Sequence, residues 1–317
     1  MFKNLNPLSL GVSGHQSEVI EIALTYGFRG IDLDMEDFAS RVRRRGFEYA
    51  ARLIRSASRL LRLGNFTLPF DWEGDEEAFR AGMEKVPEYA LVASQIGCPR
   101  CVLSISPASD QLPYHENFEV HRRRLMEIAE AMAPAGIRIG LRFQAAPSLR
   151  KNRTFQFIHD LDATTLLISM TGAKNVGLVI DVWDWVVSGL PLEKLRSIPL
   201  EQMVAVQVAD LPANVPISEA KEEHRLLPGE GGGIDITAFL RILAQMGYQG
   251  PVTPMPYRGL FGRTRRDAVA RLAGDALDKV WRAAGLPSDY RTGTAVAVAA
   301  AKSSGESPAE EEEEEEE

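Results

Sequence analysis

Cysteine and histidine are scarce in this 317-residue sequence, with two and five respectively. The two thiols, Cys98 and Cys101, share one CPRC segment and cannot by themselves complete a structural zinc site. A redox pair of the thioredoxin kind opens a helix, whereas this one leads into the strand-like VLSIS. The pair therefore reads as packing residues in a protein of a reducing, cytoplasmic compartment. Of the histidines, His115, His121 and His159 fall in or beside helical patterns and read as solvent-facing, which leaves too few for a many-histidine metal centre.

Long apolar runs are missing too. No segment approaches the roughly 20 apolar residues that span a bilayer, and the start, Met1 to Val12, carries a single Lys3 without the apolar stretch of a secretory signal. The sequence also has no excess of basic charge. Its formal net charge of −8 arises from eight consecutive glutamates, Glu310 to Glu317, and setting these aside leaves 36 acidic residues against 36 basic ones. A neutral body creates no field for nucleic acid or an anionic membrane.

What the sequence has is alternation. Apolar runs of strand length recur at residues 8–12, 30–34, 65–70, 101–106, 137–143, 176–183, 203–210 and 251–257, separated by amphipathic helical patterns. The helices are expected to end at Gly27, Gly64, Gly97, Gly136 and Gly247, the residue suited to a left-handed C-cap. Eight near-continuous apolar strands alternating with helices predict a single (β/α)8 TIM barrel over residues 1–287. Residues 288–317 have no core-forming pattern and read as a disordered, low-complexity acidic tail.

Several separate motifs then narrow the reading: YGFRGIDLD, LPFDWEGDEEAF, IGCPRC, HRRRLMEIAE, GLVIDVWDW, VQVADLP, RLLPGEG and GPVTPMPY. Over roughly residues 8–285 they resemble the xylose isomerase-like barrels of the sugar phosphate isomerase and epimerase family. The resemblance implies a site at the C-terminal mouth of the barrel, a small carbohydrate or sugar phosphate as ligand, and a divalent metal (Mn²⁺, Mg²⁺ or Zn²⁺) held by Glu, Asp, His or Gln, and Glu on the fifth to eighth strands. The two glutamates of such a site double as acid and base.

Residue by residue, this sequence departs from that pattern. Arg142 stands where the first Glu belongs and Met255 where the second does, leaving only Asp181 and the neutral Gln207 as remnants of a metal site. A small shift of register restores neither ligand, because no acid occurs in residues 131–159 or 251–266. One carboxylate and one amide are too little charge for a divalent ion, and an arginine adds repulsion; no cofactor is expected, with the divalent metal as the alternative. Three readings of Arg142 stand: an ion pair with Asp181, an anion-binding role, or an outward orientation.

Asp181 and Asp184 are the candidate catalytic residues; Asp184 stands where epimerases of the family commonly have a substrate-binding His. Arg142, Gln207, Arg225, Asp34, His15 and Trp183 are the candidate substrate-binding residues, Arg225 through the resemblance and Asp34 and His15 through their places after early strands. Trp183 would stack on a sugar face or pack in the core. The glycine-rich segment from His224 to Asp235 suggests a phosphate cradle but lacks the Lys-Ser or Lys-Thr ending of a nucleotide loop. Two functions fit: an isomerase or epimerase-like protein working without the usual metal, and a catalytically silent barrel that binds a small molecule or a protein. Deleting the chain from Ala295 onward should leave the melting temperature nearly unchanged, because no periodicity ties that segment to a core; a fall of many degrees in a thermal melt would show it docked.

Overall fold

The computed structural model describes residues 1–287; the acidic tail expected from residue 288 lies outside them. Eight strands form the barrel: β1 (Phe2–Leu5), β2 (Gly30–Ile31), β3 (Arg62–Leu63), β4 (Arg100–Ser104), β5 (Arg138–Arg142), β6 (Val176–Asp181), β7 (Met203–Val208) and β8 (Pro251–Pro254). All pair in parallel with their sequence neighbours, and β8 pairs with β1. A parallel bridge between Phe66, just beyond β3, and Cys101 in β4 closes the ring. A short antiparallel pair, Ala108–Ser109 with Phe155–Gln156, lies outside it.

Three boundaries differ from those expected. The first strand is Phe2–Leu5, and the apolar run at 8–12 is instead a short helix, Pro7–Leu10, capped by the Asn6 side chain. Pro7 sits at the helix start, where the missing N–H costs nothing. The true strand reads as polar because Lys3 points outward to a buried ion pair with Asp278 at 2.8 Å, whereas Asn4 turns inward. The long helical pattern after Asp34 breaks at Gly46 (φ 81°) into Met35–Arg45 and Phe47–Ala57. Gly64 caps no helix; it follows β3, which is Arg62–Leu63 where residues 65–70 were expected, and of that apolar run only Phe66 keeps a bridge to the next strand. The other four glycines do end helical segments, with φ between 70° and 83°.

Two-residue alternation sorts each strand into an outer face under the helices and an inner face lining the lumen. Cys101, Leu103, Leu141, Leu178, Ile180 and Val206 pack with the helices in one large core, while Val102, Val179 and Ala205 form a separate buried cluster. Two residues further along the strands the inner positions are Ser104, Arg142, Asp181 and Gln207, in register through the pairs Ser104 with Arg142 and Asp181 with Gln207. Thr253 continues this layer opposite Gln207. The lumen is thus apolar below and polar at its C-terminal end.

Gly64 matters to this layer through the side chain it lacks. A Cβ there would lie 2.3 Å from Asn4 Oδ1 and 2.5 Å from Asp32 Oδ1, on two side chains tied together by the bond from Asn4 Nδ2 to Asp32 Oδ1. Gly64→Ala should therefore cost about 1–3 kcal/mol of stability by overpacking, read as a lowered urea midpoint; an unchanged midpoint would show that the layer is looser than described.

Candidate functional site

At the mouth of the barrel a cleft of about 1110 Å³ opens between the loops that follow β1, β2, β3 and β8. Arg142, Gln207 and Met255 line it from one side, and Asp32, Asn65, Trp72 and Glu73 from the other. It is large enough to enclose a small molecule of many polar groups.

Beneath the first side lies a cluster of four charges. Arg142 donates from Nε and Nη2 to Asp184 Oδ2, at 3.0 and 2.8 Å, and its Nε stands 3.3 Å from Asp181 Oδ2. Arg225 donates from Nη2 to Asp181 Oδ2 and from Nη1, at 3.4 Å, to Asp184 Oδ2. The remaining carboxylate oxygens are also used. Asp181 Oδ1 accepts from the backbone of Trp183 and Asp184 and so caps the helix Val182–Val187, and Asp184 Oδ1 accepts from Ala145 N at 2.8 Å. Buried charges persist only when paired and hydrogen-bonded in this way.

Burial alone would lower the Arg142 pKa, but the charges of Asp184 and Asp181 outweigh it and hold the group firmly protonated. Burial likewise works to raise the Asp181 pKa, and the Arg225 and Arg142 guanidinium groups overcome it, so the carboxyl is held below its usual range. Glu222, 3.9 Å from Arg225, is shifted upward by its burial. Arg142 Nη1 takes no part in these bonds, and this is the donor left for the cleft.

Four expected site residues therefore have other roles. Asp181 and Asp184 are 2% and 0% exposed and engaged on every oxygen, so neither is a free acid or base. Arg225 is spent on the two aspartates and on Met255 O at 3.1 Å, and does not line the cleft. Trp183 is fully buried beneath the Arg225 guanidinium, 4.8 Å from its ring centre, and cannot reach a sugar. Asp34 and His15 do line the cleft, at its exposed rim: Asp34 caps the helix Met35–Arg45 by accepting from Asp37 N, and His15 N donates to Glu18. Gln207 lines the cleft, with its buried Oε1 unpartnered among the described residues.

Other expectations are corrected by particular contacts. The glycine-rich loop is a cradle, but its occupant is internal: Gly231 N, Gly232 N, Ile234 N and Leu211 N all donate to the Asp210 carboxylate at 2.8–3.1 Å. His121 does not face solvent. It is buried, with Nδ1 against Asn117 O and Nε2 2.9 Å from Glu73 Oε1. Cys98 and Cys101 are free and fully buried, and burial pushes both thiols up, away from the thiolate form a metal or redox site needs.

The other side of the cleft was not singled out from sequence. Asp32 Oδ1 accepts from Asn4 Nδ2 (2.7 Å), Asn65 N (2.8 Å) and Asn65 Nδ2 (3.1 Å), and Asn4 Nδ2 also donates to Thr253 Oγ1 (2.9 Å). Burial raises the Asp32 carboxyl to about 6 against the opposing pull of these amide donors. Glu73, by contrast, accepts from Ser106 N and Oγ and meets His121; though burial acts to raise its pKa, these partners hold it low. The signal for Asp32 lay in the alternation of GIDLD, where Ile31 and Leu33 are buried and the two acids between and after them differ in surroundings.

A family model for the xylose isomerase-like TIM barrel matches residues 20–277. The chain is 26% identical over 156 residues to inosose isomerase of Bacillus velezensis, covering 49% of this chain and 52% of that protein. It is 25% identical over 267 residues to 3-dehydroshikimate dehydratase of Pseudomonas aeruginosa, covering 82% of this chain and 39% of that one. The matches thus span about half, or less, of these curated relatives. Among solved structures, a xylose isomerase domain protein from Alicyclobacillus acidocaldarius superposes with a TM-score of 0.79 at 26% identity, covering 90% of this chain and 99% of that one. With the barrel, its register and the family match in agreement, the chain belongs to the xylose isomerase-like TIM barrels.

Proposed function

We propose that the cleft binds a small, oxygen-rich, carbohydrate-like molecule and that the protein acts on it in the manner of an isomerase or epimerase, without a divalent metal. The observation that carries this reading is the place of Arg142: its guanidinium lies on Asp181 and Asp184 and still offers Nη1 to the cleft. A divalent ion does not fit these residues. Two unit charges about 4 Å apart repel by about 4 kcal/mol at an effective dielectric constant near 20, and a cation bound at Asp181 would meet both arginines. Gln207 supplies a neutral oxygen and Met255 none, so nothing offsets that repulsion.

Without an ion, the same wall of the cleft becomes a hydrogen-bonding surface. Arg142 and Gln207 present donors and acceptors to hydroxyl and carbonyl oxygens, and Arg258 on the wall offers a cation to a phosphate or carboxylate end. The named activities of the relatives, inosose isomerase and 3-dehydroshikimate dehydratase, agree with a small polar substrate.

Two measurements test this. Mn²⁺ added to the purified protein should leave its melting temperature unchanged, since a ligand stabilises only what it binds; the double variant Arg142→Glu with Met255→Glu should instead gain several degrees. A clear Mn²⁺-dependent rise in the unaltered protein would overturn the metal-free reading. Separately, Arg142→Met should lose about 3–5 kcal/mol of stability by stranding the two carboxylates, and urea unfolding costing less than 1 kcal/mol would show that the cluster does not depend on it.

A further inference from the structure

We propose that Asp32 is the group that takes up and returns a proton from the molecule bound in the cleft, an assignment that rests on the reading of the cleft just given. Three hydrogen bonds converge on its Oδ1, and the Asn6 amide is a further donor to the carboxyl. The residue lines the cleft and is only half-buried, so Oδ2, which takes none of those three bonds, is the oxygen through which it can meet a ligand. Room for this arrangement comes from Gly64 and Gly30: a Cβ on either would run into Asn4 Oδ1, and on Gly64 into Asp32 Oδ1 as well.

The other acids at the mouth are engaged. Asp181 and Asp184 hold the two arginines, Glu73 holds Ser106 and His121, and Asp37 is paired with Arg41. Asp34 caps a helix at the exposed rim, and Asp71 accepts from Glu73 N there. Around Asp32 the packed groups are the amides of Asn4, Asn6 and Asn65, with the Cys98 thiol behind them kept neutral by burial. Among the described residues no cation acts on it, and a carboxyl raised to about 6 can both accept and release a proton near neutral pH.

The step balances without any oxidant or reductant. Asp32 Oδ2 accepts the proton of a carbon next to a carbonyl; the C–H pair becomes the C=C bond, and the carbonyl π pair moves onto oxygen, where Arg142 Nη1 is the available donor. Returning the proton to the same carbon restores the ketone. Returning it to the former carbonyl carbon, while the neighbouring hydroxyl proton passes to the first oxygen, moves the carbonyl by one position.

The test uses inosose and fructose as probes in D₂O, following loss of the α-proton signal by NMR and binding by calorimetry. The unaltered protein should exchange the α-proton of at least one probe, with kcat/KM rising with pH through about 6 as Asp32 ionises. Asp32→Asn should bind that probe within a few-fold yet exchange it at least 100-fold more slowly, and formate should partly restore exchange in Asp32→Ala. If the protein binds a probe and Asp32→Asn exchanges it as fast, or if no bound probe exchanges, Asp32 is not the proton carrier although the reading of the cleft stands. If no probe binds, the reading of the cleft fails and this assignment falls with it.

Discussion

The mouth of this barrel depends on the contact between Arg142 and the carboxylates of Asp184 and Asp181. A guanidinium at the end of β5 can stay in a barrel lumen only if opposite charge meets it there, and Asp181 at the end of β6 and Asp184 in the helix that follows both supply it. Arg225 then balances the second negative charge, and the N–H groups of Trp183, Asp184 and Ala145 fill the remaining carboxylate oxygens. The cluster is internally neutral and fully bonded, the condition under which buried ionic groups are tolerated.

That arrangement divides the mouth by function. One half, from β5 to β7, is a closed electrostatic unit that turns outward only the Arg142 guanidinium and the Gln207 amide. The other half, from β8 round to β3, holds a connected set of one hydroxyl, two amides and one carboxylate: Thr253, Asn4, Asn65 and Asp32. A rigid donor facing a titrating acid across a polar cleft is a layout in which one wall fixes an oxygen and the opposite wall handles a proton.

The barrel and much of its mouth were legible in the sequence because the strands β4 to β8 are long apolar runs, and because alternation fixes which residues face inward once one is known. Arg142, Asp181 and Gln207 sit in one register for that reason. The first three strands were harder to read. β1 carries Lys3 and Asn4, and β2 and β3 are two residues each, so the apolar signal moved to neighbouring segments. The same shortness hid Asp32 and Asn65, whose role comes from hydrogen bonds between strands distant in sequence. Asp184 could be placed but not interpreted: nothing in the sequence says that a second aspartate lies closer to Arg142 than the first. Nor does a glycine-rich loop announce that its ligand is Asp210, two residues past β7 and itself bridged to Leu226.

That loop has a consequence for motion. With the N–H groups of Gly231, Gly232 and Ile234 tied to Asp210, the chain from Gly231 to Ile234 is stitched to the residues just past β7, and Tyr257 N donates to Arg225 O and so fastens the segment after β8 to the start of the same loop. This flank of the mouth is a fixed jaw. If the mouth closes over a ligand, the closure falls to the opposite jaw, the loop carrying Gly11 and Gly14 after β1 and the segments after β2 and β3, which line the cleft.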